Sequence, residues 1–367
     1  MKYTTMSYTT STNSAFIKDL GGGRLSWEYV YPDTPMLYDI QAIQYLYGAN
    51  TTFRNRDDTY SFDPQIPFFR VIWDSGGIDS LDLSNLTKPQ VIDLREGTFS
   101  SIRTIDSLPN PNPQGWDISP PADLYNGTDN LAIAFGTVIE NANGGSGPDQ
   151  IYGNLVSNSL RGGGGDDAIY GGPDNDTLDG GGGNDQINGG GGIDTAVFAS
   201  LRSQYSLSAQ SAGGFRVTDS VASRNGTDTV SAVERLQFSD LSLALDLDGN
   251  AGKVAKILGA IFGQSAVSNK TYVGIGLGYL DSGMSYDALA ALAVSVTGKS
   301  SSTDICNLLW TNVVKTTPTA ADIAPFKAML DSGQMNIGSL AALAADTSFN
   351  TTNIGLVGLS QTGLEYV

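Results

Sequence analysis

Between Gly144 and Val197 one aliphatic residue returns every nine positions. Ile151, Leu160, Ile169, Leu178 and Ile187 hold this phase, each two residues after an Asp or Asn. That period is too long for one face of a helix and too sparse for an alternating strand. It fits stacked copies of one short turn and one short strand. The pattern then changes twice. Over 198–245 apolar and polar residues alternate as in strands, with FRVTDS (215–220) and ERLQFSD (234–240) the clearest and RNG (224–226) at a turn. From Lys253 the spacing becomes helical, in YDALAALAVSV (286–296) and TAADIAPFKAML (319–330). Thr319 and Asp322 predict a capping-box start, and Gly333 a stop. LDSGMSYDALAAL (280–292) returns as LDSGQMNIGSLAAL (330–343) with one residue inserted, and Leu258 and Leu308 precede the two copies at equal spacing. Two related helical units packed on each other follow. The chain is expected to be mainly β with a helical C-terminal domain: a right-handed parallel β-roll of nonapeptide repeats, then an α-helical, bundle-like tail.

The chemistry of the repeats is uniform. They read GGSGPDQIY (144–152), GNLVSNSLR (153–161), GGGGDDAIY (162–170), GGPDNDTLD (171–179), GGGGNDQIN (180–188) and GGGGIDTAV (189–197). Asp149, Asp167, Asp176, Asp185 and Asp194 take the sixth place; the second copy has Asn158 there and lacks most glycines, and the fourth has Asp174 where a Gly is expected. Glycine allows positive φ, so the carbonyls of such a turn can face a cation. Asp adds a hard carboxylate oxygen, and calcium takes six to eight oxygens. The candidate ligands are therefore Gly144, Gly145 and Gly147 with Asp149; Gly162, Gly163 and Gly165 with Asp167; Gly171 and Gly172 with Asp176; Gly180, Gly181 and Gly183 with Asp185; and Gly189, Gly190 and Gly192 with Asp194. Two copies make one coil, so turns on the same side belong to copies n and n+2, with an ion between them. Six copies give about three coils and roughly four intervening sites. A flexible glycine-rich linker has no need to hold Asp and an aliphatic residue two apart at fixed phase.

Composition narrows the function. The 367 residues include 45 Gly, 38 acidic and 20 basic residues, a net charge of −18, one cysteine and no histidine. Nucleic acids and anionic membranes are polyanions, so neither is expected as a partner, whereas cations are. Cys306 has no disulfide partner within the chain and is expected as a buried small hydrophobe. Without disulfides, a secreted domain needs another staple, and a metal supplies one. No apolar run is long enough to span a bilayer. The N-terminus, MKYTTMSYTT, is polar and unlike a signal peptide. Ser/His/Asp and Cys/His arrangements need histidine. DLDGNAG (246–252) lacks the Glu that an EF-hand needs at its twelfth place, where Ile257 stands, and reads as a linker or helix cap. The Pro/Asn-rich stretch 104–130 reads as an inserted, exposed loop.

The nonapeptides match G-G-x-G-x-D-x-U-x, the calcium-binding repeat of RTX proteins. Upstream, PMLYDIQAIQYLYGAN (35–50), FRNRDDTYSF (53–62), WDSGGIDSLDLS (73–84), VIDLREGTFSSI (91–102) and GTVIENANGGSG (136–147) follow one another as in serralysin-type secreted metalloproteases, which the chain resembles over most of residues 1–200. The first segment resembles the last helix of the protease domain, the next two the first strands of the roll. The resemblance implies further calcium sites: Asp74, Gly76 and Asp79, closed by backbone carbonyls around Arg54, Arg56 and Asp58, and a neighbouring one of Gly77, Asp79 and Glu140, with Asp79 bridging. The family has Gly and Thr where this chain has Arg56 and Asp58. YTTMSYT (3–9) resembles the family's Met-turn, with Met6 beneath the zinc and Tyr8 reaching towards it. The zinc itself is held in the family by H-E-x-x-H-x-x-G-x-x-H. A histidine-free chain has no such motif, so no catalytic residue is assigned and zinc is expected only in a full-length parent. A start just before the Met-turn implies a truncated gene, a split gene or a late start.

The resemblance divides the chain into a protease-domain remnant (1–50), the RTX roll with its β cap (51–245) and a helical tail of two related units (246–367). TNVVKTTPTAADIAPFKAMLDSGQM and the ending GLEYV resemble the tail domain of secreted RTX proteins. Glu365, Tyr366 and Val367 are a weak version of the acid-plus-hydrophobics ending of type I export signals. Two classes stay open: the C-terminal calcium-binding and secretion region of a serralysin-type zinc endopeptidase, or a non-catalytic surface-layer, matrix or adhesin-like scaffold. The implied partners are calcium ions, a type I secretion apparatus, and a separate catalytic domain or a cell-surface component; the implied location is extracellular.

Overall fold

The computed structural model describes residues 14–22, 24–109, 120–211, 213–222 and 224–367. The chain divides into two compact units, one of Met1–Val197 with Gly214–Ala232, the other of Phe198–Gly213 with Val233–Val367.

In the first unit the nonapeptides wind into a parallel roll. Odd copies supply the strands Gln150–Tyr152, Ala168–Pro173 and Gln186–Gly191, and even copies Ser159–Gly164, Thr177–Gly182 and Thr195–Val197. Ile151 pairs with Ile169 and Ile169 with Ile187; Leu160 pairs with Leu178 and Leu178 with Ala196. Each coil is therefore two copies, as the spacing predicts. These aliphatic residues are 0–2 % exposed and stack along the inside of the roll. Glycine is obligatory where successive coils touch. Gly183 has φ +143°, and a Cβ there would lie 1.9 Å from the Gly165 carbonyl oxygen.

The roll is longer than the repeats. Thr59–Ser61, Ser80–Asp82 and Asn141–Asn143 lead into the even face, with Tyr60, Leu81, Ala142 and Leu160 in one register. Val91–Asp93 leads into the odd face, Ile92 opposite Ile151. At the other end Thr227–Ser231 extends the odd face in parallel, Val230 opposite Ile187. Phe215–Asp219 then pairs antiparallel with that strand. The sequence reading places a turn at RNG but not the return of the chain to the roll straight after it.

Ahead of the roll, Ala15–Asp19 and Leu25–Tyr29 form an antiparallel hairpin, which the sequence reading lacked. The helix expected within 35–50 runs Leu37–Tyr47, and the Asp39 carboxylate accepts the Met36 amide at 2.9 Å to close its first turn. Phe16, Val30, Met36, Leu37, Phe69, Val71 and Tyr125 share one core. Tyr125 and Asn130 correct the expectation of an exposed loop at the C-terminal end of 104–130. The Tyr125 amide donates to the Ala15 carbonyl at 2.7 Å, and the Tyr125 hydroxyl accepts from the Asn130 side chain at 2.9 Å. Both residues are 1 % exposed. Pro and Asn mark turns, but their presence does not say whether the flanks of a turn are buried.

In the second unit Arg235–Gln237, Ser242–Ala244 and Leu364–Tyr366 form an antiparallel sheet. The strands read as the end of the β cap thus pack with the helices, because the last strand of the tail pairs with one of them. Asp246 caps the helix Asn250–Phe262, its Oδ2 accepting the Asn250 amide at 2.8 Å, so DLDGNAG is a helix cap. The predicted helices appear as Tyr286–Val296 and Ala320–Asp331, the latter with the Thr319/Asp322 capping box. Both LDSG segments end a helix and turn through a positive-φ glycine, Gly283 and Gly333. The helices that follow, Tyr286–Val296 and Ile337–Ala345, cross closely at Gly338, where a Cβ would meet the Asp287 carbonyl oxygen at 2.2 Å. Cys306 is buried in this core.

Leu178 is fully buried in the stack, whereas Leu155 is 80 % exposed. Leu178→Ala is expected to destabilise the folded roll by about 2–4 kcal/mol, and Leu155→Ala by less than about 0.5 kcal/mol. Urea unfolding of both variants checks this; equal midpoints would remove the stack as the core of the roll.

Candidate calcium sites

Parallel pairing puts the sixth residue of each copy directly over its counterpart one coil away. On the odd face each backbone amide donates to the next carboxylate: Gln90 to Asp149 (2.7 Å), Asp149 to Asp167 (2.7 Å), Asp167 to Asp185 (2.9 Å) and Asp185 to Asp228 (2.9 Å). On the even face the order is Asp58 to Asp79 (2.7 Å), Asp79 to Glu140 (2.7 Å), then Asn158 to Asp176 (2.7 Å) and Asp176 to Asp194 (2.8 Å). One oxygen of each carboxylate is thus committed to the backbone. The other oxygen of Asp79, Asp167, Asp176 and Asp185 is buried with no hydrogen-bond partner. A buried, unpartnered anionic oxygen is costly and signals a missing cation or proton.

Burial raises these carboxyls well above the ordinary range. It pushes Asp167 up to about 8, with the nearby Asp185 and Asp149 carboxylates adding to the effect, and Asp176 up to about 7. Asp149, Asp185 and Asp79 rise to about 6 for the same reason.

The unpartnered oxygens look into glycine-lined concavities. A Cβ on Gly162, Gly171 or Gly180 would lie 2.2 Å from Oδ2 of Asp167, Asp176 or Asp185, respectively. Carbonyls of the adjacent coil approach as closely: Gly145 O at 2.1 Å from such a position on Gly163, Gly163 O at 2.1 Å on Gly181, and Gly172 O at 2.0 Å on Gly190. Carboxylate and carbonyl oxygens from two stacked turns are the donor set that calcium takes. Among the described residues no three His, Cys, Asp or Glu side chains gather around one point. A calcium here would draw most of its ligands from the backbone, which is why the sites need glycine more than extra acid.

The second copy has a different solution. Asn158 accepts the Asn154 amide at 2.8 Å, and its own amide donates to the Glu140 carbonyl at 3.0 Å. The Asn154 side chain donates to the Ile139 carbonyl at 2.9 Å. Side-chain amides of this turn thus satisfy carbonyls of the turn one coil upstream, and the carboxylate is not needed.

The upstream candidates lie in the first coils. Asp74 is buried; it accepts the Gly76 amide at 3.0 Å and the Tyr60 hydroxyl. The Arg56 carbonyl oxygen lies 2.3 Å from the position of a Cβ on Gly77, whose φ is +141°. The structure therefore brings Arg56, Gly77, Asp79 and Glu140 together. The Arg54 and Asp58 carbonyls accept from the Ser75 and Ser80 amides instead, at 3.4 and 2.9 Å. Met6 and Tyr8 lie outside the described residues. Asp228 was missed by the sequence reading, although GTDTV (226–230) keeps the repeat's phase, because the break over 198–222 separates it from the other copies.

Comparison with known proteins agrees with this geometry. Residues 143–178 and 161–196 match the RTX calcium-binding nonapeptide repeat, and residues 38–107 match the serralysin C-terminal model of peptidase family M10. Serralysin of Proteus mirabilis is 37 % identical over 142 residues, 35 % of this chain and 24 % of that protein. Serralysin of Photorhabdus luminescens is 37 % identical over 171 residues, 43 % of this chain and 29 % of that protein. Metalloprotease AprA of Pseudomonas entomophila is 34 % identical over 173 residues, 43 % and 30 % of the two chains. The chain therefore spans less than a third of the length of these relatives. It carries a serralysin-type C-terminal region over 38–107, followed by RTX calcium-binding repeats over 143–196.

Proposed function

We propose that this protein is a secreted calcium-binding module, equivalent to the C-terminal region of a serralysin-type endopeptidase, which folds on meeting calcium after type I export. The observation that carries the reading is the set of buried carboxylates, Asp79, Asp167, Asp176 and Asp185, whose second oxygens have no hydrogen-bond partner. Asp149, Asp167, Asp176, Asp185 and Asp194, with the carbonyls of their glycine turns, would hold the repeat ions. Asp79, Glu140 and the Arg56 and Gly77 backbone would hold an upstream one, and Asp74 with Gly76 lies beside it. Peptide hydrolysis is not assigned to this chain, since a zinc needs three good protein ligands and histidine is absent.

Magnitudes make calcium a switch. A site of ~10 μM affinity in ~1 mM calcium stabilises the fold by ~2.7 kcal/mol. Four such sites give about 11 kcal/mol, comparable to the whole stability of a domain. At submicromolar calcium they give almost nothing. The expected behaviour is a self-repelling, unfolded roll inside the cell and a folded one outside.

Circular dichroism during a calcium titration should therefore show a cooperative gain of β signal. Asp167→Asn should raise the midpoint about tenfold, equivalent to about 1.4 kcal/mol, while Asp248→Asn, in the helix cap, should leave it unchanged. A full β signal in calcium-free buffer would overturn the proposal.

The raised carboxyls add a pH test. Their folded values lie above the unfolded Asp value of about 3.9, so the calcium-free folded state holds more protons than the unfolded one. Its stability is then greatest in acid and is lost as pH rises through about 6 to 8. With calcium the order reverses, because the ion needs ionised carboxylates. Calcium-free protein should show more β signal at about pH 5 than at about pH 8, and the calcium midpoint should fall as pH rises. A pH-independent midpoint would remove the carboxylates as ligands.

A further inference from the structure

The repeats stop at Val197 in the sequence, but the roll does not stop there in space. We infer that the turn ending at Asp228 is a seventh copy of the nonapeptide, displaced by the intervening segment 198–222, and that with the turn of copy five it forms an additional calcium site at Asp185 and Asp228. This rests on the calcium reading above and extends it beyond the recognisable repeats.

Four registers support the assignment. At the eighth place Val230 stacks opposite Ile187 in a parallel pairing. At the sixth, Asp228 accepts the Asp185 amide at 2.9 Å, as Asp185 accepts that of Asp167. At the fifth, the Thr227 amide donates to the Asn184 side chain at 3.0 Å, as the Asn184 amide donates to Asp166 at 2.8 Å. At the fourth, Gly226 has φ +66°, and a Cβ there would lie 2.2 Å from the Gly183 carbonyl oxygen. Gly183 stands in the same relation to Gly165.

Two observations point to a ligand as well as to a repeat. Asp185 is 1 % exposed, and its Oδ2 has no hydrogen-bond partner. That oxygen faces the concavity at Gly180, which a Cβ would fill. Asp228, 2 % exposed, places a second carboxylate one coil further on. The class of ligand is a hard, oxygen-seeking divalent cation, and calcium fits the carbonyl-rich lining. The departures from the template are Ser223 at the first place and Arg224 at the second. Its guanidinium is drawn aside to the Asp219 carboxylate at 2.6 Å, and its carbonyl oxygen lies 3.0 Å from the position of a Cβ on Gly182. The backbone of the turn thus keeps its place over copy five while the side chain points to the neighbouring strand.

The test counts ions in the full chain. Equilibrium dialysis with radioactive calcium should give one ion fewer for Asp228→Asn than for the wild type, with both showing the same β signal at saturating calcium. An unchanged count overturns the inference while leaving the repeat sites intact. Should the variant not fold, crystals of the calcium-loaded wild type decide. Anomalous density within bonding distance of Asp228 supports the seventh copy, and density at the other repeats with none there overturns it. No bound calcium anywhere on the wild-type chain overturns the calcium reading as a whole.

Discussion

A stack of carboxylates that the protein buries but does not neutralise is the constraint on which the roll depends. The sixth residues of successive coils must sit over one another, because the backbone amide of one donates to the carboxylate of the next. That requirement fixes the coil at two copies. It also sets the separation of the turns, which leaves no room for a Cβ at their contact points. The aliphatic stack inside contributes about 2 kcal/mol per residue. Every glycine held in one conformation costs more chain entropy than any other residue would. A roll this rich in glycine and this poor in large side chains needs a further source of stability, which the proposed calcium ions would supply at the unpartnered oxygens.

The ends of the roll follow from the same constraint. An exposed parallel strand is a template for pairing with other chains. On the odd face the last parallel strand, Thr227–Ser231, is covered by the antiparallel strand Phe215–Asp219, held by the bidentate Asp219–Arg224 pair. At the other end the coils lose their glycine turns gradually. Gln90 stands where Asp would, and its side chain bonds backbone groups, accepting the Arg103 amide and donating to the Lys88 carbonyl. A neutral amide there satisfies the neighbouring backbone without calling for an ion. Asn158 does the same inside the repeats. On the calcium reading, Asp stands where an ion would bind and an amide where the coil closes without one.

What the sequence made legible was whatever repeats. The phase of Ile151 to Ile187, the sixth-place Asp residues and the two copies per coil could all be read, because each depends on a local spacing that recurs. The capping box at Thr319 and the glycine stops of the tail are local in the same way. The upstream coils could be placed only through a family likeness, since Tyr60, Leu81 and Ala142 share a register but no motif spacing. Asp228 escaped because the break over 198–222 destroys the period, although the local sequence after it is intact. Tyr125 and Asn130 escaped because their burial depends on partners far along the chain, Phe68 and Ile102. Non-local hydrogen bonding leaves no periodic trace.

The two compact units answer the problem of buried charge in opposite ways. In the second unit Arg235, 3 % exposed, lies between Asp246 and Asp281, donating to both Asp281 oxygens at 2.9 Å. Asp246 also caps a helix, and Asn250 of that helix donates to Asp281 at 2.9 Å. The cation is covalently part of the chain, so the network is complete as soon as the unit folds, whatever the solution contains. Removing one partner from such a buried pair costs about 3–5 kcal/mol. In the roll no Arg or Lys reaches the unpartnered oxygens of Asp167, Asp176 or Asp185, and the neutralising charge must come from outside. On the proposed reading, folding of the helical unit would be independent of calcium, and folding of the roll would be conditional on it. A net charge of −18 on 367 residues is consistent with that division: on this reading the acids of the roll would repel one another until an ion bridged them, while those around Arg235 carry their counter-charge with them.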